Sequence, residues 1–208
     1  EKRDYDKALR DLTQAIKLDP KDALSRYNRG VTYAARGDAD RAIADFDQSI
    51  RIDPKNALAF YNRGLALRAK GDDERAIVDF SQAIKFDAKN ALAYYNRGIS
   101  YRGRGNIELS LADLDQAIKL DPKNASAYYE RGNALFDKRD YDRAIADLNQ
   151  AINVKPDYTA AFNVRGLAYN GKGDSDRAIQ DFDQALRIDP KFAAALSNRG
   201  DAYQRKKN

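Results

Sequence analysis

Proline occupies residues 20, 54, 122, 156 and 190, so that neighbouring prolines stand 34 residues apart or, once, 68, with Ala88 in the slot the long gap leaves open. The chain is one 34-residue unit repeated. A strict period constrains the architecture more than any motif does, because each unit is one supersecondary piece that buries its apolar face only against its neighbours. Residues that recur in every unit belong to the scaffold, and positions where the units differ are the candidates for specificity. The composition, 43% hydrophobic and 33% charged with 12 Gly, is too apolar for disorder and too poor in breakers for a loop-rich fold. No stretch approaches the ~18 uncharged apolar residues of a membrane-spanning helix.

Ala23 to Asn56, numbered as phases 1 to 34, shows how the period makes structure. Apolar or small residues at phases 1, 8 and 11 (Ala23, Gly30, Tyr33) mark one helical face, and those at 20, 24, 27 and 28 (Ala42, Phe46, Ser49, Ile50) mark a second. The spacing predicts helices over 23–36 and 39–52. Gly37 stands where a left-handed residue closes the first helix, and Asp38 caps the second. Asp53-Pro54 stops the second helix, since a residue before proline is pushed out of the α region. Asp22, Asn56, Asn90 and Asn124 are N-caps for the first helix of each following unit. Links this short force neighbouring helices to run antiparallel. The predicted class is all-α, about twelve antiparallel helices, with full repeats at 23–56, 57–90, 91–124, 125–158 and 159–192 and half repeats at 1–22 and 193–208 of one array.

A mid-helix glycine recurs at Gly30, Gly64, Gly98, Gly132, Gly166 and Gly200, although it costs about 1 kcal/mol relative to Ala. The expected compensation is close approach of the small phase-20 residue (Ala42, Ala76, Ser110, Ala144, Ala178), with Tyr33 and Phe46 filling the flanks. Bulky residues at phase 4 (Phe60, Tyr94, Tyr128, Phe162, Leu196), Gly at 8, Tyr or Leu at 11, Ala at 20, Phe or Leu at 24, Ala at 27 and Pro at 32 complete the pattern. It resembles the tetratricopeptide repeat along the whole chain, and the resemblance implies an α-solenoid wound as a right-handed superhelix. Arg26 departs from the pattern at phase 4, and Arg3 and Arg139 replace the turn glycine. The turn at Arg139 is therefore expected to close differently. Phase 7 is Arg and phase 23 is Asp in every unit, from Arg29 and Asp45 to Arg165 and Asp181, which predicts a ladder of bidentate ion pairs within or between units.

Chemistry is mostly excluded. With no His or Cys, the chain holds neither Ser-His-Asp or Cys-His nucleophilic sites nor the common zinc sites. Carboxylate pairs such as Asp45 and Asp47 recur at Asp113/Asp115 and Asp181/Asp183, whereas an active site is singular. Asp38-Ala39-Asp40 and Asp174-Ser175-Asp176 lack the glycine and distal Glu of a calcium loop and read as first-turn acids. No catalytic residue, metal ligand or cofactor is expected.

The surface lined by the first helices remains. In the family it resembles, that surface is concave and contacts ligands through phases 2, 5, 6, 9, 12 and 13. Carried onto this sequence, the expected peptide-binding residues are Tyr27, Asn28, Tyr61, Asn62, Tyr95, Asn96 and Tyr129, with Arg68 and Arg102 beside them. A carboxamide offers donor and acceptor to a peptide backbone, and tyrosine offers flat apolar area with a polar tip. The pattern is similar to the asparagine ladder of O-GlcNAc transferase and unlike a dicarboxylate clamp, which would place lysine where tyrosine stands. Past Tyr129 the pattern breaks at Glu130, Asn133, Phe136 and Asp137, which predicts a more acidic second half.

The leading expectation is a scaffold that holds an extended segment of a partner protein. The alternatives are a recognition region of a larger enzyme such as a glycosyltransferase, or a single-stranded RNA binder that stacks bases on the tyrosines. The chain begins and ends inside repeats, which reads as an excerpt of a longer array. Residues 4–18 are a second helix without its first, and 193–206 a first helix without its second. Head-to-tail self-association through these half repeats is expected. The compartment is left open by the sequence.

Overall fold

Capping and turn chemistry set the helix boundaries. The computed structural model describes residues 2–206, with side chains from Asp4 onward. Among the described residues there are twelve helices and no strand: α1 (Lys2–Leu18), α2 (Ala23–Ala35), α3 (Ala39–Ile52), α4 (Ala57–Ala69), α5 (Asp73–Phe86), α6 (Ala91–Gly103), α7 (Ile107–Leu120), α8 (Ala125–Asp137), α9 (Tyr141–Val154), α10 (Thr159–Gly171), α11 (Ser175–Ile188) and α12 (Ala193–Lys206). The Asp22 carboxylate accepts from the backbone N–H groups of Leu24 and Ser25, and the side chains of Asn56, Asn90 and Asn124 each accept from the N–H three residues on. These bonds satisfy donors a helix start would otherwise leave open. Tyr158 takes the same slot before α10 without a side-chain cap.

Inside each repeat, Gly37, Gly71, Gly105 and Gly173 adopt φ of +79°, +80°, +75° and +81°. Arg139 does likewise at φ 62°. Its turn closes as the glycine turns do: Arg139 N–H reaches Phe136 O at 2.8 Å and Asp140 N–H reaches Leu135 O at 2.9 Å, against 2.9 and 3.0 Å for the bonds at Gly71 and Asp72. The expectation of a different closure is corrected. The price is backbone strain of about 1–2 kcal/mol for a left-handed residue with a Cβ. Arg3 lies within α1, so it is not a turn residue. The stop between repeats is equally robust, since Asp87 before Ala88 holds φ −138° and ψ 87°, close to the φ −121° and ψ 91° of Asp53 before Pro54.

The helices group into two compact units, Glu1–Gly105 with α1–α6 and Asn106–Asn208 with α7–α12. Within each unit every helix packs on the next, and alternate helices (α2 with α4, α4 with α6, α8 with α10, α10 with α12) also touch. The core is a series of small clusters, such as Leu67, Ala76 and Phe80, then Phe60, Ala83 and Ala93. This serial arrangement makes the fold an all-α solenoid.

The repeated mid-helix glycine meets the phase-24 side chain first, and at Gly132 the backbone of the small phase-20 residue Ala144 follows at 3.4 Å. A Cβ on Gly30 would stand 2.8 Å from the Phe46 ring, on Gly64 2.8 Å from Phe80, on Gly132 2.9 Å from Leu148 and on Gly166 2.6 Å from Phe182. Those four side chains are fully buried. Burying a Phe or Leu contributes about 1.5–3 kcal/mol, enough to offset the helical cost of glycine.

Candidate functional site

The recurrent arginine is heavily bonded in successive repeats. Arg29 forks onto Asp45 at 2.7 and 2.8 Å, Arg63 onto Asp79 at 2.7 and 2.6 Å, Arg131 onto Asp147 at 2.7 and 2.6 Å, and Arg165 onto Asp181 at 2.8 and 2.6 Å. Each pair lies within one repeat. The remaining Nη1 donates backwards into the preceding repeat: Arg63 to Asp47, Arg131 to Asp115, Arg165 to Asn149 and Arg199 to Asp183, all at 2.6 Å, and Arg97 to Ser81 at 2.9 Å. The phase-4 aromatic carries the guanidinium on its face, with Arg63 5.6 Å from the Phe60 ring and Arg165 5.3 Å from Phe162. Arg26, at that phase in the first full repeat, instead donates to Pro20 O.

Asp45 and Asp47 are therefore held by different arginines and are not an acid–base pair. Hydrogen bonds donated to Asp79 and Asp47 hold the Arg63 guanidinium still further above its ordinary range. Burial pushes the Asp181 carboxyl up despite the opposing Arg165 charge, as expected where desolvation rivals pairing. The remaining acidic clusters are occupied as well. Asp38 and Asp174 cap α3 and α11, Asp40 pairs with Lys70, and Asp176 pairs with Lys206 at 2.5 Å. No group of three or more acidic side chains suited to a metal occurs among the described residues.

On the face shared by α2, α4 and α6, tyrosine and asparagine form rungs between repeats. The Asn62 amide donates to Tyr27 Oη at 3.1 Å and to Leu58 O at 2.9 Å, and the Asn96 amide to Tyr61 Oη at 3.1 Å and to Leu92 O at 2.8 Å. The tyrosine rings in turn rest on the glycine-filling phenylalanines, Tyr27 on Phe46 and Tyr61 on Phe80, with centroids 5.9 Å apart in both. Burial raises the Tyr27 and Tyr61 phenols, opposed at Tyr27 by the Asn62 hydrogen bond and at Tyr61 by the Arg68 charge and the Asn96 bond. The expectation that these carboxamides present both donor and acceptor to a ligand is thereby corrected. Their N–H groups are spent inside the fold, and Asn96 is only 4% exposed. What the rungs leave is the hydroxyl hydrogen of each tyrosine as donor and the Oδ1 of half-buried Asn62 as acceptor. Asn28 on α2 is exposed, and Tyr95, Arg68 and Arg102 are half-buried on the same helices.

One feature of this face escaped the sequence reading. Leu24, Leu58 and Leu92 are 63%, 54% and 50% exposed, one helical turn before Asn28, Asn62 and Asn96. Their signal is their recurrence at phase 2 and its end at Ser126.

These features make up the repeat as a family would define it. A model of the tetratricopeptide repeat matches residues 1–57, 95–161, 129–191 and 163–208, and two further models of the repeat match 64–103 and 46–78. The chain belongs to the tetratricopeptide repeat family. No match is found among curated proteins. Solved tetratricopeptide-like structures align along most of the chain. YrrB, described as a TPR protein with an unusual peptide-binding site, is 24% identical with a TM-score of 0.79 over 91% of this chain and 97% of its own. MamA is 30% identical with a TM-score of 0.74 over 79% of this chain and 96% of its own. PilF of Pseudomonas aeruginosa is 16% identical with a TM-score of 0.82 over 96% and 91%.

In the second unit of this tetratricopeptide repeat protein the rungs change. Asn163 takes the tyrosine position and accepts from the Asn198 amide at 2.9 Å, in the same register as the Tyr–Asn bonds. Tyr129 stands opposite no asparagine within its unit, because the next residue in register is Val164. It packs against the cluster of Leu148, Ala151, Ala161 and Val164, and its ring centroid lies 5.0 Å from that of Tyr158. The candidate residues brought together on one face are thus those of α2, α4 and α6, and Tyr129 belongs to a separate aromatic cluster.

Proposed function

We propose that this protein is an interaction scaffold that holds an extended peptide segment of a partner against α2, α4 and α6. The observation that carries the reading is the row of exposed Leu24, Leu58 and Leu92 beside the Tyr–Asn rungs. Three leucines left in solvent at identical phases supply apolar contact area, and tyrosine hydroxyls and Asn62 Oδ1 supply the groups that pair with a peptide backbone. Arg68 adds positive charge next to Tyr61. Two similar structures support a peptide ligand: YrrB by its peptide-binding site, and the first TPR of Spaghetti (RPAP3), 23% identical with a TM-score of 0.56 over 59% of this chain, which is bound to the HSP90 peptide SRMEEVD. Catalysis has no part in this reading.

Random linear peptides displayed on phage and selected on the immobilised protein test it. Enriched sequences should lose affinity for a Leu58→Ser/Leu92→Ser variant whose circular dichroism melt is unchanged, because those side chains are exposed. Equal binding to both proteins rejects the reading. A single-stranded RNA oligonucleotide that binds instead, with affinity falling steeply as salt rises, replaces it with the nucleic-acid alternative.

A second contact, between copies, rests on a different observation. Among the described residues Arg199 pairs only with Asp183, no carboxylate fills its fork, and a Cβ on Gly200 would meet nothing within 4 Å. α1 carries the missing counterparts, Asp11 and Leu12, at the phases that Asp45 and Phe46 hold in the next repeat. We propose that α12 of one copy docks on α1 of another, Arg199 forking onto Asp11 and Leu12 covering Gly200. Sedimentation velocity should show concentration-dependent association that Asp11→Arg abolishes and that mixing with Arg199→Asp restores. A single monomeric species at every concentration rejects the contact.

A further inference from the structure

In the second unit a hollow of about 350 Å³ opens between α8, α10 and α12, beside the α8–α9 turn. One part of its wall is apolar. Phe136 and Tyr141 lie 5.6 Å apart with rings inclined at 52°, and Leu167 faces the same space. Tyr141 is held in place by Gly171, where a Cβ would stand 2.6 Å from its ring.

Two independent observations mark this hollow as a site. The first is Asn170, which lines it, is 8% exposed, and has an Oδ1 with no hydrogen-bond partner. A buried acceptor without a donor is retained against a free-energy penalty, and an arriving N–H removes that penalty. The second is Arg139, which also lines the hollow and holds the only left-handed backbone of a non-glycine residue among the described ones. Every other such turn uses glycine, so the strain is kept where a guanidinium reaches the hollow. Arg205, on the opposite side, joins it. Neither arginine has an ion pair among the described residues, although Lys138 and Lys172, which precede the turn residues of their repeats, pair with Glu108 and Asp142. Asp201, one turn before Arg205, leaves the rim with a net positive charge.

We infer that this hollow binds an acidic, apolar peptide segment. A ligand carboxylate meets Arg139 and Arg205, a neighbouring backbone N–H reaches Asn170 Oδ1, and the adjoining apolar side chain lies against Phe136 and Leu167. The inference rests on the scaffold reading and names the ligand chemistry of a place that reading did not include.

The test uses a fluorescein-labelled, acetylated and amidated peptide of alternating glutamate and leucine, read by fluorescence anisotropy against the whole chain, with lysine replacing glutamate in a control peptide. The acidic probe should bind and the basic one should not. Asn170→Leu and Arg139→Gly should each weaken binding about tenfold or more. The second variant also relieves backbone strain, so a folding defect does not account for its loss. Leu58→Ser/Leu92→Ser should leave the acidic probe bound. No binding of the acidic probe, equal binding of both probes, or binding unaffected by Asn170→Leu and Arg139→Gly overturns the inference. Loss of binding in the leucine variant alone also overturns it, while supporting the α2, α4 and α6 face.

Discussion

The face of α2, α4 and α6 and the hollow between α8, α10 and α12 are both built on the first helices of the repeat, yet their polar groups are used differently. In the first unit the amides of Asn62 and Asn96 are bonded to Tyr27 and Tyr61. In the second, Asn163 replaces tyrosine, Asn170 stands where Arg68 and Arg102 stand in the first unit, and an acceptor is left unpaired at the edge of a hollow. Where the repeat is kept, polar side chains satisfy one another across the period and stabilise the stack. Where it is broken, Asn163 still accepts from Asn198, but Asn170 Oδ1 is left without a donor. The same contrast separates Arg63, with three hydrogen bonds to two carboxylates, from Arg139, with no ion pair among the described residues.

The largest effect that tests this contrast belongs to the periodic arginine. Arg63→Ala leaves Asp79, whose side chain is 3% exposed, as an uncompensated buried charge, and should cost about 3–5 kcal/mol. Arg199→Ala removes one bond to an Asp183 side chain that is 41% exposed, and should cost less than about 1 kcal/mol. Urea unfolding followed by circular dichroism measures both. Similar losses from the two would mean that the fork and the backward bond are energetically alike, and the ladder would no longer distinguish interior from terminal repeats.

Asparagine gives the next contrast. Asn96→Leu removes the bond to Tyr61 Oη and should destabilise by about 1–2 kcal/mol, whereas Asn170→Leu removes an unpaired buried acceptor and should be neutral or stabilising by about 1 kcal/mol. Opposite shifts in the thermal midpoint confirm that one amide serves the fold and the other does not. Two losses of equal size would show that Asn170 is structural.

Much of this was legible because a fixed period converts sequence offsets into contacts. The turn glycines, the N-caps at Asp22 and Asn56, and the Arg–Asp pairing all follow from phases within one repeat. What the period does not give is which face of a helix meets the neighbouring repeat, since that depends on how the helices cross. For this reason Asp47 was not foreseen as the second partner of Arg63, and Phe46 was not foreseen as the side chain that fills Gly30. The Tyr–Asn bond spans 35 residues, one more than the period, and two residues that each look suited to a ligand gave no sign of bonding to each other. The hollow was illegible for a different reason: it is assembled from exceptions, Phe136 and Asn170 at the phase where α4 and α6 carry Arg68 and Arg102, and Arg139 at the turn phase, and their spacing does not show that they enclose a space.

A smaller effect is expected at Arg139. Arg139→Gly keeps the turn and removes the left-handed strain, for a gain of about 1 kcal/mol after the greater freedom of glycine in the unfolded chain is deducted. Gly71→Arg should lose a comparable amount. A destabilised Arg139→Gly would show that the side chain makes a contact strong enough to outweigh its backbone, and would move Arg139 to the structural side of the contrast.

The smallest effect asks whether every departure from the repeat has a role. Ala88 breaks the proline pattern, yet Asp87 before it keeps the extended backbone seen at Asp53, and Asn90 N–H reaches Asp87 O at 3.2 Å as Asn56 N–H reaches Asp53 O at 3.3 Å. The Ala88 N–H takes part in none of these turn bonds, so proline loses nothing by lacking it. Ala88→Pro should therefore stabilise by about 0.4–1 kcal/mol, through the reduced freedom of the unfolded chain alone. Binding of the acidic probe should not change, because Ala88 lies in the first unit and lines no part of the hollow. A stabilised variant with unaltered binding makes Ala88 a tolerated drift in the scaffold. A destabilised one would mean that the turn differs from its proline-bearing counterparts in a way their backbone angles do not express, and that departures in the first unit carry function too.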